Sequence, residues 1–356
     1  MRAARFYNRG DIRVDEIKKP KVKAGQVGID VAWCGICGTD LHEFMDGPIF
    51  CPSADNPNTV TGETPPVTLG HEMSGVVNEV GEGVKSVKVG DHVVVEPYIL
   101  PEGTDTGSGQ NYHLDEDMNF IGLGGNGGGL GEKIAVEERW VHKIPEDMPL
   151  DQAALIEPLT VGYHAVDRAN LQEESVALVV GAGPIGLLTS AVLKAEGHTV
   201  IISEPSSLRL KKAKETGVAD HFINPAEDDV DAKVKEVAGK GVDVAFECTS
   251  VQPGFDACLN SVRKGGTIVV VAIWGKPASV DMAQLVIKEV NMVGTIAYCN
   301  NHPDTIKLAA SGKIDLDKFI TGKIGLDHLI DEGFDTLINR NETAVKILVS
   351  PSGKGL

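Results

Sequence analysis

Residues 176–186 restrict the fold of this chain more than any other stretch. The apolar run Val176–Val180 leads straight into Gly181-Ala182-Gly183-Pro184-Ile185-Gly186, and a helical pattern follows to about residue 196. Each glycine has a role in a strand–turn–helix of this kind. Gly181 permits the tight turn, Gly183 lets a pyrophosphate approach the backbone, and Gly186 lets helix and strand pack closely. The helix opening at Pro184 and Ile185 presents unpaired N–H groups to phosphates. Glu204 ends the next strand about twenty residues on, where a carboxylate accepts hydrogen bonds from both ribose hydroxyls and repels a 2′-phosphate. A dinucleotide site that prefers NAD to NADP is therefore expected. Arg209 is the complication, since an arginine near the ribose would tolerate the phosphate; it is expected to stack near the adenine or pair with a carboxylate. A glycine turn that only packs a helix on a strand is the plainer reading. It is disfavoured because strand, turn, helix and acid occur in order.

The same rhythm runs through the second half. Strands Val176–Val180, Thr199–Ser203, His221–Ile223, Val242–Glu247 and 267–272 alternate with helical segments at 184–196, 208–216, 229–238 and 253–263. Near-continuous Val, Ile and Ala strands in that order predict a parallel sheet covered on both faces. Residues 1 to about 150 instead read as short strands broken by Gly and Pro turns. Loops are expected at 46–66, with five prolines, and at 101–131, which includes Gly127-Gly128-Gly129. After about residue 298 the rhythm lapses into a helix at 303–311 and a last strand at 344–350. That tail is assigned to the first domain, which makes the first domain discontinuous. The expected division is 1–155 with 298–356, and 156–297. A length of 356 residues suits two domains.

Composition excludes some functions. Hydrophobic residues at 42% and charged residues at 24% describe a soluble globular chain. A net charge of −18 disfavours nucleic-acid backbones and anionic membranes. The amino-terminal residues lack the apolar core of a signal peptide. The apolar run 176–193 is interrupted by glycine and proline and is better explained by strand and buried helix than by a membrane span. Six cysteines with no dense framework fit reduced thiols in the cytoplasm.

The densest chemistry lies in the first half, at Cys34-Gly35-Ile36-Cys37-Gly38-Thr39-Asp40-Leu41-His42. A redox pair would normally sit inside a βαβ unit, and a four-cysteine zinc needs a second pair that the chain lacks. One thiol in a mixed metal site remains possible. Gly70-His71-Glu72 offers an imidazole and a carboxylate to join it. One thiolate, one neutral histidine and one carboxylate leave a fourth zinc position open, as catalytic zinc requires. An isolated His-Glu pair is more often a surface or capping pair; the thiol and the dinucleotide domain change that balance. A second carboxylate, Glu157, lies in the apolar run 153–159, where its burial is costly without a cationic partner. Its plainer reading is a solvent-facing residue at a helix end.

Taken in order, the Cys34–His42 motif, Gly70-His71-Glu72, Glu157-Pro158-Leu159 and Gly181–Gly186 resemble the zinc-dependent medium-chain dehydrogenase/reductase superfamily over essentially the whole chain. Asp46-Gly47-Pro48-Ile49-Phe50, Thr61-Gly62-Glu63 and the segment from Phe120 to Gly129 are similar to its butanediol dehydrogenase branch, beside sorbitol-type enzymes. The resemblance implies an α/β fold with a GroES-like β-rich catalytic domain and a Rossmann doubly wound parallel-sheet domain for NAD. It implies a zinc held by Cys37 and His71 with either Glu72 or Glu157. Thr39 would take the alcohol proton, and His42 would pass it to solvent through the cofactor ribose. Ile185, Glu204 and Arg209 would contact NAD, with Ala272, Ile273, Ile296, Ala297 and Tyr298 near the nicotinamide end. Cys34 matches no ligand.

Two departures narrow the expectation. The superfamily's second, structural zinc is held by four cysteines near residues 98–115, and none occurs there, so one zinc per chain is expected. Sorbitol-type enzymes place a tyrosine and an arginine where this chain has Glu43 and Ala297. Loss of that arginine removes a donor for a long polyol and favours a short vicinal diol or hydroxyketone such as 2,3-butanediol or acetoin. A polyol dehydrogenase is the nearest alternative. A non-catalytic NAD-binding protein is the distant one, with no reason to keep Cys37, His71, Glu72 and Glu157 together. Family members form dimers or tetramers, so a homo-oligomer is expected, joined through the last strands of the dinucleotide sheet.

Overall fold

Val176–Val180, apolar at every position, becomes a central strand of a six-stranded parallel sheet in the computed structural model, which describes residues 1–356. Across that sheet the order is His221–Ile223, Thr199–Ser203, Val176–Val180, Val242–Glu247, Val262–Val270 and Asn291–Gly294. Chain direction through the sheet reverses beside Val176–Val180, the switch point at which open α/β sheets bind ligands. Register places Val180 beside Ser203 on one side and Glu247 on the other. The residues that follow these strands, Gly181, Glu204 and Cys248, therefore share one edge. Helices Pro184–Ala195, Ser207–Thr216, Val230–Ala238 and Gln252–Ser261 connect the strands. Leu178, Ile201, Ala245, Phe255 and Ile268 meet in the buried core.

The strand expected over 267–272 runs instead over Val262–Val270. Residues 271 and 272 leave the ladder because both their N–H groups donate to the Glu247 carbonyl, at 2.9 and 3.1 Å. The final strand is Lys346–Ser350 and the preceding helix His302–Ala310.

The chain divides into two units, Met1–Glu157 with His302–Ala310 and Ile320–Leu356, and Pro158–Asn301 with Ser311–Phe319. The expected assignment of all of 298–356 to the first domain is corrected at 298–301 and 311–319. The latter segment is tied to the second unit, where Lys313 Nζ donates to the Ala195 carbonyl at 3.1 Å. No helix is long and apolar enough to cross a membrane.

The first unit is built on Gln26–Gly35, a ten-residue strand that pairs with Glu72–Val80, Lys133–Glu137 and Lys346–Ser350. Two of those pairings position the candidate metal ligands. Gly35 lies opposite Glu72, and Leu348 lies opposite Gly35. Much of 101–131 is irregular as expected, but Asn119–Phe120 pairs with Tyr98–Ile99. Tyr98, Tyr112 and Trp140 pack there with ring centroids 5.2–5.6 Å apart.

Candidate metal centre and cofactor pocket

The two thiols of the Cys-x-x-Cys stretch have different surroundings because a strand ends between them. Cys34 lies within Gln26–Gly35 and is fully buried, and burial pushes its thiol pKa well up. A Cβ on Gly70 or on Gly129 would press on its sulfur at 2.7 Å. Cys34 is a core residue. Cys37 stands at the N-cap of helix Gly38–Asp46, and its N–H donates to Asp40 Oδ2 at 3.0 Å. The strand's end and the helix's start turn its sulfur toward His71.

Cys37 Sγ, a ring nitrogen of His71 and a carboxylate oxygen of Glu72 all lie within 4.8 Å of one another. His71 is 5% exposed. Burial opposes charge on its ring, yet Cys37, Asp40 and Glu157 outweigh that and hold its pKa well above the ordinary value. A field this negative around a buried imidazole is suited to a divalent cation. Thiolate, imidazole and carboxylate are also the donor types that zinc takes. His71 Nδ1 faces Asp40 Oδ1 at 3.7 Å, and neither atom has a hydrogen-bond partner. Burial raises the Asp40 carboxyl to about 6 although His71 opposes the rise. Asp40 thus sets a buried carboxylate beside the ring.

Glu72 carries a feature that the local sequence does not show. Both its oxygens accept from Lys346 Nζ, at 2.7 and 2.8 Å, and the same ammonium donates to the Ile36 carbonyl at 3.2 Å. Glu72 and Lys346 are 1% and 3% exposed. Glu157, in the first turn of helix Ile156–Ala169, is 6% exposed and acts electrostatically on both His71 and Lys346. It is therefore not the solvent-facing residue of the plainer reading. Thr39 Oγ1 stands 3.7 Å from Cys37 Sγ. One helical turn on, the His42 ring is exposed, with Nδ1 3.9 Å from Asp46. Glu43, where a tyrosine was the alternative, is fully buried and accepts the N–H groups of Ile49, Phe50 and Cys51. It ties down the loop after the helix.

The second unit holds a separate cavity of about 470 Å³ at the sheet edge, lined among others by Gly181, Gly183, Glu204, Arg209, Cys248 and Thr249. Gly181 has φ +103°, which favours glycine, and a Cβ on Gly186 would collide with the Gly181 carbonyl. A Cβ on Gly183 would meet nothing within 4 Å, so the backbone there is open to a ligand. Glu204 Oε2 accepts the Ala182 N–H and Oε1 the Ser206 N–H, both at 2.9 Å. The carboxylate is thus fixed between the glycine turn and the next helix. Glu247 braces the same edge, accepting from Thr249 N, Thr249 Oγ1, Ser250 N and, at 2.9 Å, Trp274 Nε1. Pro184, Ile185 and Gly186 form the helix start. Ala272 and Ile273 follow Val262–Val270, while Ile296, Ala297 and Tyr298 follow Asn291–Gly294; none of the five lines this cavity.

The sequence assigns no site role to Asp40, Glu247 or Lys346, and Glu43 enters only as a departure from the sorbitol-type pattern. Asp40 lay inside the quoted motif, three residues from Cys37, and its capping position was the available signal. Lys346 had none, being 274 residues from Glu72.

The family model described as the alcohol dehydrogenase GroES-like domain matches residues 23–146, and that described as zinc-binding dehydrogenase matches residues 184–311. An (R,R)-butanediol dehydrogenase of Neisseria gonorrhoeae is 59% identical, with 99% of this chain and 100% of the relative covered. The enzyme of the same name from Bacillus subtilis is 46% identical, again over 99% and 100%. A crystal structure of 2R,3R-butanediol dehydrogenase from Bacillus subtilis superimposes with a TM-score of 0.93 at 45% identity, covering 98% of this chain and 99% of that one.

Proposed function

Because this chain belongs to the zinc-dependent medium-chain dehydrogenase/reductase superfamily, butanediol- and sorbitol-like branch, we propose that it oxidises a vicinal secondary diol with NAD⁺ and reduces the hydroxyketone in reverse. 2,3-Butanediol and acetoin are the proposed pair, with diacetyl also reduced. The observation that carries the reading is the convergence of Cys37, His71 and Glu72 within 4.8 Å, with the Thr39 hydroxyl beside the thiol. One zinc per chain would be held by Cys37, His71 and a carboxylate. Lys346 neutralises Glu72 by binding both its oxygens, which favours Glu157 as the third ligand and leaves Glu72 in reserve.

Bound zinc would supply polarisation of the alcohol oxygen, and bound NAD⁺ would supply the hydride acceptor. The chain's own residues supply the rest. Thr39 Oγ1 accepts the hydroxyl proton as it gives up its own, which passes by way of the cofactor ribose to the exposed His42 and from there to water. Asp40 keeps a buried carboxylate beside the His71 ring. Glu204 accepts the ribose hydroxyls, and Gly183 leaves room for the pyrophosphate. Ala297 offers no donor to a long polyol. A homo-oligomer joined through the edge strand Asn291–Gly294 completes the proposal.

The test is NAD⁺ reduction with the separate butanediol stereoisomers and with sorbitol, before and after chelation. Turnover of a butanediol isomer that chelation removes is expected. Faster turnover of sorbitol than of any butanediol would assign the chain to the polyol alternative instead.

A further inference from the structure

The glycine loop that neither the metal chemistry nor the cofactor pocket uses forms the floor of another cavity, within the first unit. This cavity measures about 280 Å³ and lies between the 17–23 segment, residues 126–128 and the start of strand Lys133–Glu137. Its charge is one-sided. Arg5, Lys18, Lys21, Lys23 and Lys133 line it against a single acid, Glu63, in a chain of net charge −18. Lys133 is paired with Asp30, and Glu63 Oε1 accepts the Asn126 N–H at 2.8 Å. Lys18, Lys21 and Lys23 form no ion pair with any carboxylate of the chain.

Several donors here also have no acceptor. The Gly127 and Gly128 N–H groups bond to nothing within the chain, although Gly128 is buried. Arg5 donates to the Pro66 carbonyl, but its buried Nε has no partner. Buried backbone N–H groups are almost always paired, with protein, water or ligand.

We propose that this cavity binds a phosphate-bearing small molecule. Lysine ammonium groups and the amides of a glycine-rich turn are the donors that hold phosphate oxygens elsewhere in proteins. The volume lies at the small end of ligand pockets, which suits a phosphate or diphosphate ester and excludes a dinucleotide. The loop also reaches the metal centre. Gly129 N–H donates to the Gly70 carbonyl at 2.7 Å and Leu130 N–H to the Leu69 carbonyl at 2.9 Å, so the loop is laced to the two residues before His71. An anion seated on Gly127 and Gly128 stiffens the segment that carries the metal-ligating histidine.

The experiment titrates inorganic pyrophosphate by calorimetry into the full-length, zinc-loaded protein saturated with NADH, which keeps the dinucleotide pocket filled. Wild type is compared with the exposed double variant Lys21→Glu/Lys23→Glu, whose NADH affinity and circular dichroism report that it is folded. Saturable binding that weakens by about tenfold or more in the variant is expected. Amides 126–131 should exchange more slowly with pyrophosphate in wild type only. No saturable binding by wild type, or equal binding by both proteins, overturns the proposal, since the metal and the dinucleotide pocket are unchanged in the variant.

Discussion

Lys346 offsets the charge of Glu72 in the candidate metal centre. A buried carboxylate that loses its only ammonium is left uncompensated, and breaking such a pair costs about 3–5 kcal/mol. Lys346→Met should therefore lower the urea-unfolding free energy of the metal-free protein by that amount. Adding Glu72→Gln should recover most of it; an additive second loss would mean that the ion pair of Glu72 and Lys346 is not the source. His71→Ala should abolish turnover and leave NADH fluorescence binding unchanged, because the two sites lie on different units. A third residue contributes to behaviour in acid. Burial depresses the pKa of His302 from 6.5 to about 3, against the pull of Glu96 and with the help of His142. Its ring lies 5.1 Å from that of His142, and its Nδ1 3.8 Å from Glu96. The unfolded chain takes up this proton below pH 6.5 and the folded chain does not, so the contribution of His302 to stability falls as pH drops from about 6.5 toward 3, while Asp40, raised to about 6, works in the opposite sense over the lower part of that range. At pH 5 the loss is about 2 kcal/mol. His302→Gln should flatten that part of the stability profile, read from urea midpoints at pH 5 and pH 7.5. An unchanged slope would exclude His302 as its origin.

The strand–turn–helix at Val176–Ala195 shows how one element separates folding from binding. Gly186 is required by packing, since its Cβ would strike the Gly181 carbonyl, whereas Gly183 faces open space. Gly186→Val should lower the melting temperature by several degrees or prevent folding, at a cost of about 1–3 kcal/mol or more for overpacking. Gly183→Val should leave the melting temperature of the unliganded protein nearly unchanged and weaken NADH binding by tenfold or more, because the side chain enters space meant for the pyrophosphate. Equal melting losses in both variants would contradict this division. The motif was legible because every part of it is local: an apolar strand, three glycines at fixed offsets and an acid at the end of the next strand. The Cys34–Cys37 pair was legible only in part. Spacing alone does not say that a strand ends between them, and that break separates a core thiol from a candidate ligand.

At the scale of the whole molecule, the open edge of the parallel sheet is apolar. Met292 on the edge strand is 47% exposed, and Met282, Val286 and Ile287 on the neighbouring helix are 61–69% exposed. Exposed apolar side chains gathered on one edge strand and the helix before it suit an interface, and a second copy of the chain is the proposed occupant. Met292→Asp/Val286→Asp should shift light scattering toward the monomer mass while each chain still binds NADH; an unchanged mass would place the interface elsewhere. The sequence by itself determined the parallel-sheet unit, its glycine turn and the acid after the next strand, and it marked the histidine and cysteine of the candidate metal centre, because each is declared by residues close together in the chain. Only the tertiary structure decided which partners surround them. Glu72 meets Lys346 because Lys346–Ser350 pairs with the strand that also pairs with Glu72–Val80. Segment 311–319 rejoins the second unit, and Gly127–Gly129 rests against Gly70, through contacts of the same long-range kind. Such contacts follow from strand pairing and packing between distant segments, where local propensity carries no information.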